Sequence, residues 1–314
     1  MALRSVPFAS IPGVRVGHAV DREGSTGVTV TRFDQGVPVV LDLRGGVAAT
    51  YDTGSLALES TFGRRWAIFF SGGSLYGLDA ARGVRTRLLE EGIVHRAFRN
   101  PNAVLPISGA AIFDLPRHTA PIPDYLPLGY EAARSASQDP FGAGAIGAGA
   151  GATVGKYAGR RRASAGGLAA AAVRTRLGAH VGVMVVVNSV GAVRDPSSGR
   201  WVAGASTDRG RIIPPTYSTR SSGARSNTTL AMVVTDLRFP RTELARMAIG
   251  VSAGLSRAIV PFATSYDGDM VFVASTDRRA PRPTEAIDRV AGLAAELAVE
   301  ATLRAVRSAG PVRG

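Results

Sequence analysis

Short apolar runs bounded by glycine, proline or polar residues recur along the chain, and they predict strands. The clearest is the valine-rich run at residues 180–188 (HVGVMVVVN), which indicates a buried strand. Similar runs predict strands at residues 28–31, 39–43, 66–71, 228–235 and 270–274. None approaches the ~20 apolar residues that cross a bilayer, and residues 1–14 lack the apolar core of a signal peptide. We therefore expect a soluble, cytoplasmic protein with no membrane partner.

The C-terminal part of the chain carries apolar residues at helical spacing. The pattern predicts two long helices and, earlier in the chain, two shorter ones; the predicted helices are residues 240–259, 284–308, 74–91 and 130–136. Their many alanines favour close contact between helix and sheet. There is no internal repeat and no segment that reads as a linker, so we expect a single α/β domain over residues 1–314.

The composition adds a strongly basic charge. The chain has 314 residues, 45% of them hydrophobic, no cysteine and a formal charge of +13. Residues 156–226 hold 12 basic and 2 acidic side chains, whereas residues 228–314 hold 11 and 9. A basic surface suits nucleic acid, but aromatic residues for stacking are sparse in the basic stretch. We expect a solvated basic loop and no nucleic-acid partner; a non-catalytic nucleic-acid-binding protein remains the alternative of a different class.

The chain uses lysine at only one of its basic positions. Of the 37 basic residues, Lys156 is the only lysine. A lysine can lose its proton when it is desolvated, whereas an arginine effectively cannot. Retention of one lysine by chance is the alternative, but the observation makes Lys156 a candidate catalytic residue.

Several familiar motifs fail on inspection. Residues 142–147 match GxGxxG, but no strand precedes them and no acidic residue follows at the expected distance. Residues 150–157 resemble a phosphate loop but lack its first glycine and its final hydroxyl. The glycines instead favour close approach of one backbone to another. The four histidines, His18, His95, His118 and His180, show no metal-ligand spacing. We expect neither a cofactor nor a metal.

One hydroxyl residue stands at a suggestive place. A polar, arginine-rich segment at residues 206–226, expected to be a mobile loop, ends where Asn227 and Thr228 open a buried strand. In N-terminal nucleophile enzymes the chain cuts itself at such a point. The freed α-amine, with an ordinary pKa of about 7.7–8.0, then serves as a base for the hydroxyl beside it. A plain strand entry is the alternative reading of these residues.

Two further groups fit this chemistry. Asp267 and Asp269 lie two residues apart before a strand, so an extended backbone would turn both carboxylates to one face, where they would orient charged groups. A simple turn is the alternative, and calcium lacks the further oxygen ligands that it needs. Asn188 ends the valine-rich strand, where its amide would either donate to an oxyanion or cap a turn with Gly191.

Taken together, the motifs resemble the DmpA-like aminopeptidases and nylon-oligomer hydrolases, which include β-peptidyl aminopeptidases. The resemblance covers nearly the whole chain, through short motifs that follow in the family's order. These are residues 11–18, 24–29, 42–46, 71–80, 111–115, 155–156, 187–189, 227–229 and 267–269.

The resemblance implies a four-layer αββα sandwich, made as one chain and cut into an α chain (1–227) and a β chain (228–314). Cleavage between Asn227 and Thr228 would make Thr228 the nucleophile. Lys156, Asn188, Asp267 and Asp269 would complete the catalytic set. Threonine and the acidic pair favour the nylon-oligomer branch over the serine-dependent aminopeptidase branch.

Substrate contacts are also implied, at Phe113 and Tyr76. Phe113 replaces a tyrosine of characterised members, which removes a phenolic hydroxyl. The predicted activity is that of an aminopeptidase-like amidohydrolase acting on small peptides or amides, amide oligomers among them, and assembled as a homo-oligomer, a tetramer of α/β units. An ornithine-acetyltransferase-like acyl transfer is the enzymatic alternative.

Overall fold

The computed structural model describes residues 3–23, 25–93, 105–115, 121–215 and 227–310, which form four α-helices and fifteen strands. The helices are α1 (Ala80–Glu90), α2 (Tyr125–Arg134), α3 (Arg241–Ala258) and α4 (Ile287–Arg307). The strands are β1 (Leu3–Ser5), β2 (Val14–Val20), β3 (Gly27–Leu43), β4 (Ala49–Tyr51), β5 (Arg64–Ser71), β6 (Ile107–Ala111), β7 (Thr153–Val154), β8 (Ser164–Ala165), β9 (Gly167–Thr175), β10 (His180–Asn188), β11 (Ala192–Arg194), β12 (Trp201–Ala203), β13 (Thr228–Leu237), β14 (Ile259–Val260) and β15 (Met270–Arg279).

A single long strand, β3, joins the two halves of the β-structure. Its first part pairs with β2 and β5, and its last five residues pair with β15. Two separate strands were predicted here, at residues 28–31 and 39–43, and that prediction was wrong. The exposed polar residues Asp34 and Gln35 mark a register shift within β3 rather than its end, since an irregularity bends a strand without terminating it.

The two halves face each other across a shared core. One half has the strand order β1-β9-β10-β13-β15-β3, and the other continues as β3-β5-β6-β4 with β2 beside β3. The rings of Phe70 in β5 and Phe272 in β15 lie 5.8 Å apart between their centroids. The strands therefore form two stacked sheets with apolar side chains between them.

Helices cover both outer faces. Helix α4 packs on β9 and β10 and helix α3 on β3 and β15, whereas on the other face α2 packs on β2 and β3 and α1 on β5 and β6. Strand β10 shows why this architecture selects consecutive valines: Val183 and Val185 face the helices, while Met184 and Val186 face the second sheet. The four-layer αββα arrangement predicted from the sequence is thus confirmed.

Most predicted helices are confirmed, with corrections to the shorter ones. Helix α2 begins at Tyr125 rather than at residue 130, because the Asp124 carboxylate caps it by accepting from the Leu126 N–H at 3.0 Å. The segment predicted as one helix at residues 74–91 starts with a 3₁₀ turn, Ser74–Asp79, before α1. Helices α3 and α4 lie where the apolar stripes placed them.

Three further sequence features can be compared with the structure: the glycine-rich stretch, the apolar runs and the predicted loop. The glycine-rich stretch lies against neighbouring backbone, as predicted: a Cβ on Gly149 would sit 2.3 Å from the Leu168 nitrogen. Within the described residues, no helix is long and apolar enough to cross a membrane. His95, His118 and residues 216–226 of the predicted loop lie outside the described residues.

Candidate active site

Thr228 is the first residue of β13, a central strand with a neighbour on each side. Asn188, the last residue of β10, lies directly opposite it in the antiparallel ladder. On the other side β15 runs parallel to β13 and enters after Asp267 and Asp269. The layout brings Thr228, Asn188 and the acidic pair to one edge of the sheet.

The bond between Asn227 and Thr228 is surrounded by polar groups. The Thr228 hydroxyl donates to the Asn227 carbonyl oxygen at 2.6 Å. The same oxygen accepts from the backbone N–H of Gly268, also at 2.6 Å. Both Asn227 and Thr228 are buried. A hydroxyl, the carbonyl next to it and a backbone donor to the carbonyl oxygen are therefore assembled at one peptide bond.

Lys156 is buried beside this group. Its side chain is 2% exposed, and Nζ donates to the backbone oxygen of Asn188 at 3.0 Å and to Oδ1 of Asn188 at 2.7 Å. Burial, and after it the positive charge of Arg160, lower the pKa of Lys156 to about 7. The only lysine of the chain thus stands where a neutral amine is accessible near neutral pH.

The side chain of Asn188 accepts a hydrogen bond from Lys156 and so orients the lysine amine. Its Oδ1 accepts from Lys156 and from the Thr153 N–H at 3.0 Å, and its Nδ2 donates to the Phe113 backbone oxygen at 3.2 Å. The sequence suggested this amide as an oxyanion donor. In the structure the donor to the Asn227 oxygen is instead the N–H of Gly268.

The acidic pair is fully buried and held by backbone N–H groups. Asp267 accepts from Val190 and Thr264, whereas Asp269 accepts from Thr229 at 2.5 Å and from Ala263 at 2.9 Å. Burial and the neighbouring Asp267 raise the pKa of Asp269 to about 7. Among the described residues neither carboxylate hydrogen-bonds Lys156; both act on it through charge, and raise its pKa against the effect of burial.

Comparison with known proteins identifies the family of this chain. The profile of peptidase family S58 matches residues 8–314. The chain belongs to peptidase family S58. It is therefore a hydrolase of peptide or amide bonds, as the sequence predicted.

Two relatives are similar to this chain in sequence, and one solved structure is similar in fold. An uncharacterized aminopeptidase of Mycobacterium tuberculosis is 33% identical, with 98% of this chain and 95% of the relative covered. A 6-aminohexanoate-oligomer endohydrolase of a Kocuria species is also 33% identical, over 85% of this chain and 74% of the relative. The L-aminopeptidase D-Ala-esterase/amidase of Ochrobactrum anthropi, described as a variant of the Ntn hydrolase fold, superposes with a TM-score of 0.70 at 17% identity, over 96% of this chain and 86% of the other.

Two residues that the sequence singled out take unequal places in this S58 chain. Phe113 borders the site through its carbonyl, which accepts from Asn188. Tyr76 belongs to the 3₁₀ turn after Gly73 and has half of its surface exposed. Within the described part of the chain its side chain makes no hydrogen bond to Thr228, Lys156 or Asn188.

Sequence reasoning missed two groups of this candidate site. Gly268 was treated only as the spacer between the two aspartates, although its N–H reaches the Asn227 oxygen. Arg160 was noted only as part of an arginine run, yet its guanidinium lies 4.8 Å from the centroid of the Phe113 ring. A glycine between two buried carboxylates signals close backbone approach and could have indicated the first; no sequence signal separates Arg160 from Arg161.

Proposed function

We propose that this chain cuts itself between Asn227 and Thr228, and that Thr228 then serves as the nucleophile of an aminopeptidase-type amidohydrolase for small peptides or amides. The observation that carries the proposal is the 2.6 Å contact between the Thr228 hydroxyl and the Asn227 carbonyl oxygen, which also accepts from Gly268. The plain start of a strand would not explain why a buried lysine, two buried carboxylates and this backbone donor occur in the same region as the hydroxyl.

The cleavage begins with attack by Thr228 Oγ on the Asn227 carbonyl carbon. The hydroxyl proton passes to a base, and the Gly268 N–H stabilises the negative charge that develops on the carbonyl oxygen. The C–N bond then breaks, the nitrogen of Thr228 takes up a proton, and an ester joins Asn227 to Oγ. Water hydrolyses the ester to a carboxylate at Asn227 and a free hydroxyl and amine at Thr228.

Lys156 is the base that we assign to the first step. Its amine is held on Asn188, the residue directly opposite Thr228 in the antiparallel ladder, and directly opposed residues of such a pair have Cα atoms about 4.5–5.5 Å apart. Its pKa of about 7 gives a substantial neutral fraction at neutral pH. Asp269, through the Thr229 N–H, holds the strand beside the nucleophile.

Turnover repeats the same chemistry on an external amide. The substrate carbonyl is attacked by Thr228 Oγ, the amine product leaves with a proton, and water releases the acid from the acyl-enzyme. The freed α-amine of Thr228, with an ordinary pKa of about 7.7–8.0, acts with Lys156 as the base. Phe113 and Tyr76 are proposed to contact the substrate.

Acyl trapping tests this function directly. The cut enzyme is mixed with an excess of a p-nitrophenyl ester, the reaction is quenched in acid, and the intact masses of the two fragments are measured by mass spectrometry. An acyl mass added to the fragment 228–314, and absent from the fragment 1–227, is the expected result. Thr228→Ser should still be acylated, whereas Thr228→Ala should carry no adduct. Turnover without an adduct, or with one on residues 1–227, would contradict the assignment.

We extend the proposal to assembly as a homo-oligomer of α/β units. In the described residues, Leu75 is 68% and Tyr76 51% exposed, a pair of large apolar side chains side by side on the surface. Light scattering coupled to size exclusion gives the mass; a monomer at micromolar concentration would contradict this part.

A further inference from the structure

A cavity of about 470 Å³ lies at the end of the sheets away from Thr228. Arg238 and Phe239, which line it, directly follow the last residue of β13, whereas Thr228 is the first residue of that strand. Because β13 has 10 residues and a strand rises about 3.3 Å per residue, roughly 30 Å separate the cavity from the candidate active site. The cavity, which we call the α3 cavity, is therefore a separate place on the molecule, and its ligand does not depend on the proposed function.

Positive charge exceeds negative charge around the α3 cavity. Its charged lining residues are Arg64, Arg238, Arg241 and Asp277. Arg238 Nε donates to Asp277 Oδ1 at 2.7 Å, so these two charges compensate each other. Arg64 and Arg241 donate instead to backbone carbonyl oxygens, and neither forms an ion pair within the described residues. Two guanidinium charges at one cavity are thus left without a carboxylate partner.

Hydrogen-bond donors at the α3 cavity also lack acceptors. Nε of Arg241 is buried and has no acceptor in the part of the chain that the structure describes. Arg241 is the first residue of α3, and Pro240 before it makes no side-chain cap. The first N–H groups of an α-helix need acceptors from outside the helix, and they carry the positive end of its dipole. A ligand with several oxygens and negative charge satisfies both needs.

We propose that the α3 cavity binds a phosphate group, either as the free ion or as the monoester of a small molecule, through Arg64, Arg238 and Arg241. A phosphate monoester carries about 1.5 to 2 negative charges at neutral pH, which matches the two uncompensated arginines. Guanidinium groups bind phosphate oxygens through paired N–H donors. The volume of about 470 Å³ lies within the range of small-molecule sites, about 300–1,000 Å³, and leaves room for the organic part of a monoester.

A phosphate group at the α3 cavity joins elements of both sheets. Arg64 is the first residue of β5 in one sheet, Arg238 follows β13 in the other, and Arg241 begins α3. A ligand that all three arginines hold crosslinks the sheets at the end opposite to Thr228. It therefore stabilises the folded chain in proportion to its occupancy.

Isothermal titration calorimetry of the wild-type chain with inorganic phosphate, at constant ionic strength in chloride, tests the α3 cavity. We expect one saturable site per chain. Arg64→Gln and Arg238→Gln change exposed side chains and should each weaken binding by about 10- to 100-fold, the effect of losing a charge-assisted hydrogen bond. Arg257→Gln, in the last turn of α3, removes the same charge outside the cavity and should bind phosphate as the wild type does.

The outcomes separate a phosphate site from a general effect of charge. No saturable binding at millimolar phosphate overturns the proposal, and so does wild-type affinity in both cavity variants or an equal loss in Arg257→Gln. Tighter binding of malonate, a carboxylate dianion, than of phosphate overturns the choice of ligand. Phenyl phosphate distinguishes the two sources of the group: tighter binding than inorganic phosphate supports a monoester, and equal binding supports the free ion.

Discussion

Nζ of Lys156 donates to Oδ1 of Asn188 at 2.7 Å, and Asn188 lies opposite Thr228 in the sheet. The only lysine of the chain is therefore hydrogen-bonded to the cross-strand partner of Thr228, the first residue of β13. Arginine occupies the other 36 basic positions, and none of them could supply a neutral amine at this place.

Lys156→Arg keeps a positive charge but removes a group that can accept a proton. Self-cleavage is expected to slow by about 100-fold or more, the usual contribution of a general base. The time course of fragment formation after synthesis, followed by intact mass, gives the rate. Arg161→Gln, which changes an exposed neighbour, is the matched control. Cleavage of the Lys156→Arg chain at the wild-type rate would remove Lys156 from the mechanism.

Arg160→Gln changes the pH dependence rather than the chemistry. The positive charge of Arg160 lowers the pKa of Lys156, so its removal raises that pKa. The limb of the pH–rate profile that rises as Lys156 loses its proton should therefore move to higher pH. Profiles of self-cleavage for Arg160→Gln and Arg161→Gln make the comparison; an equal shift in both would indicate a general effect of net charge.

Gly268→Ala disturbs the donor to the Asn227 carbonyl. Its Cβ would lie 2.3 Å from the Val47 oxygen and 2.8 Å from Thr228 Oγ1, so the backbone must move. Loss of one such donor is expected to slow self-cleavage by about 100-fold. Gly292→Ala in α4, where a Cβ meets nothing within 4 Å, should cut normally. Normal cleavage in both variants would contradict the role of the Gly268 N–H.

Stability of the uncut Thr228→Ala chain should pass through a minimum near pH 7. The folded chain keeps a proton on Asp269 that the unfolded chain releases, because the pKa is raised from 3.8 to about 7, so stability falls as pH rises across that window. Lys156 acts in reverse: its pKa is lowered from 10.5 to about 7, so stability rises with pH between those values.

Urea unfolding at pH 5, 7 and 9 measures this minimum. Thr228→Ala/Lys156→Met should lose the rise between pH 7 and 9, whose slope for one proton is at most about 1.4 kcal/mol per pH unit. Other titrating groups cancel in the difference between the two chains. The same rise in both would show that Lys156 does not titrate as described.

The fold was predictable from the sequence where burial is strong on both faces. The consecutive valines of β10 require burial on both faces of the strand, and the apolar stripes of α3 and α4 require burial against a sheet. The breaks in the pattern were harder: Asp34 and Gln35 look like a turn, but the strand continues because its two parts pair in different sheets. The start of α2 depended on the cap at Asp124, which a pattern of apolar residues does not contain.

The candidate site was predictable in its side chains and not in its backbone. Thr228, Lys156, Asn188, Asp267 and Asp269 were all proposed from residue type and order, and they converge on one edge of the sheet. The Gly268 N–H has no side chain to notice, and its direction depends on the parallel pairing of Asn227 with Asp267. The guanidinium of Arg160 over Phe113 likewise depends on tertiary packing.

Intact mass under denaturing conditions, for the wild type and Thr228→Ala, tests the central claim most directly. The account predicts two fragments from the wild type, residues 1–227 and 228–314, and one uncut chain from Thr228→Ala. A wild-type chain that stays whole after long incubation, or one that is cut at another bond, would contradict it.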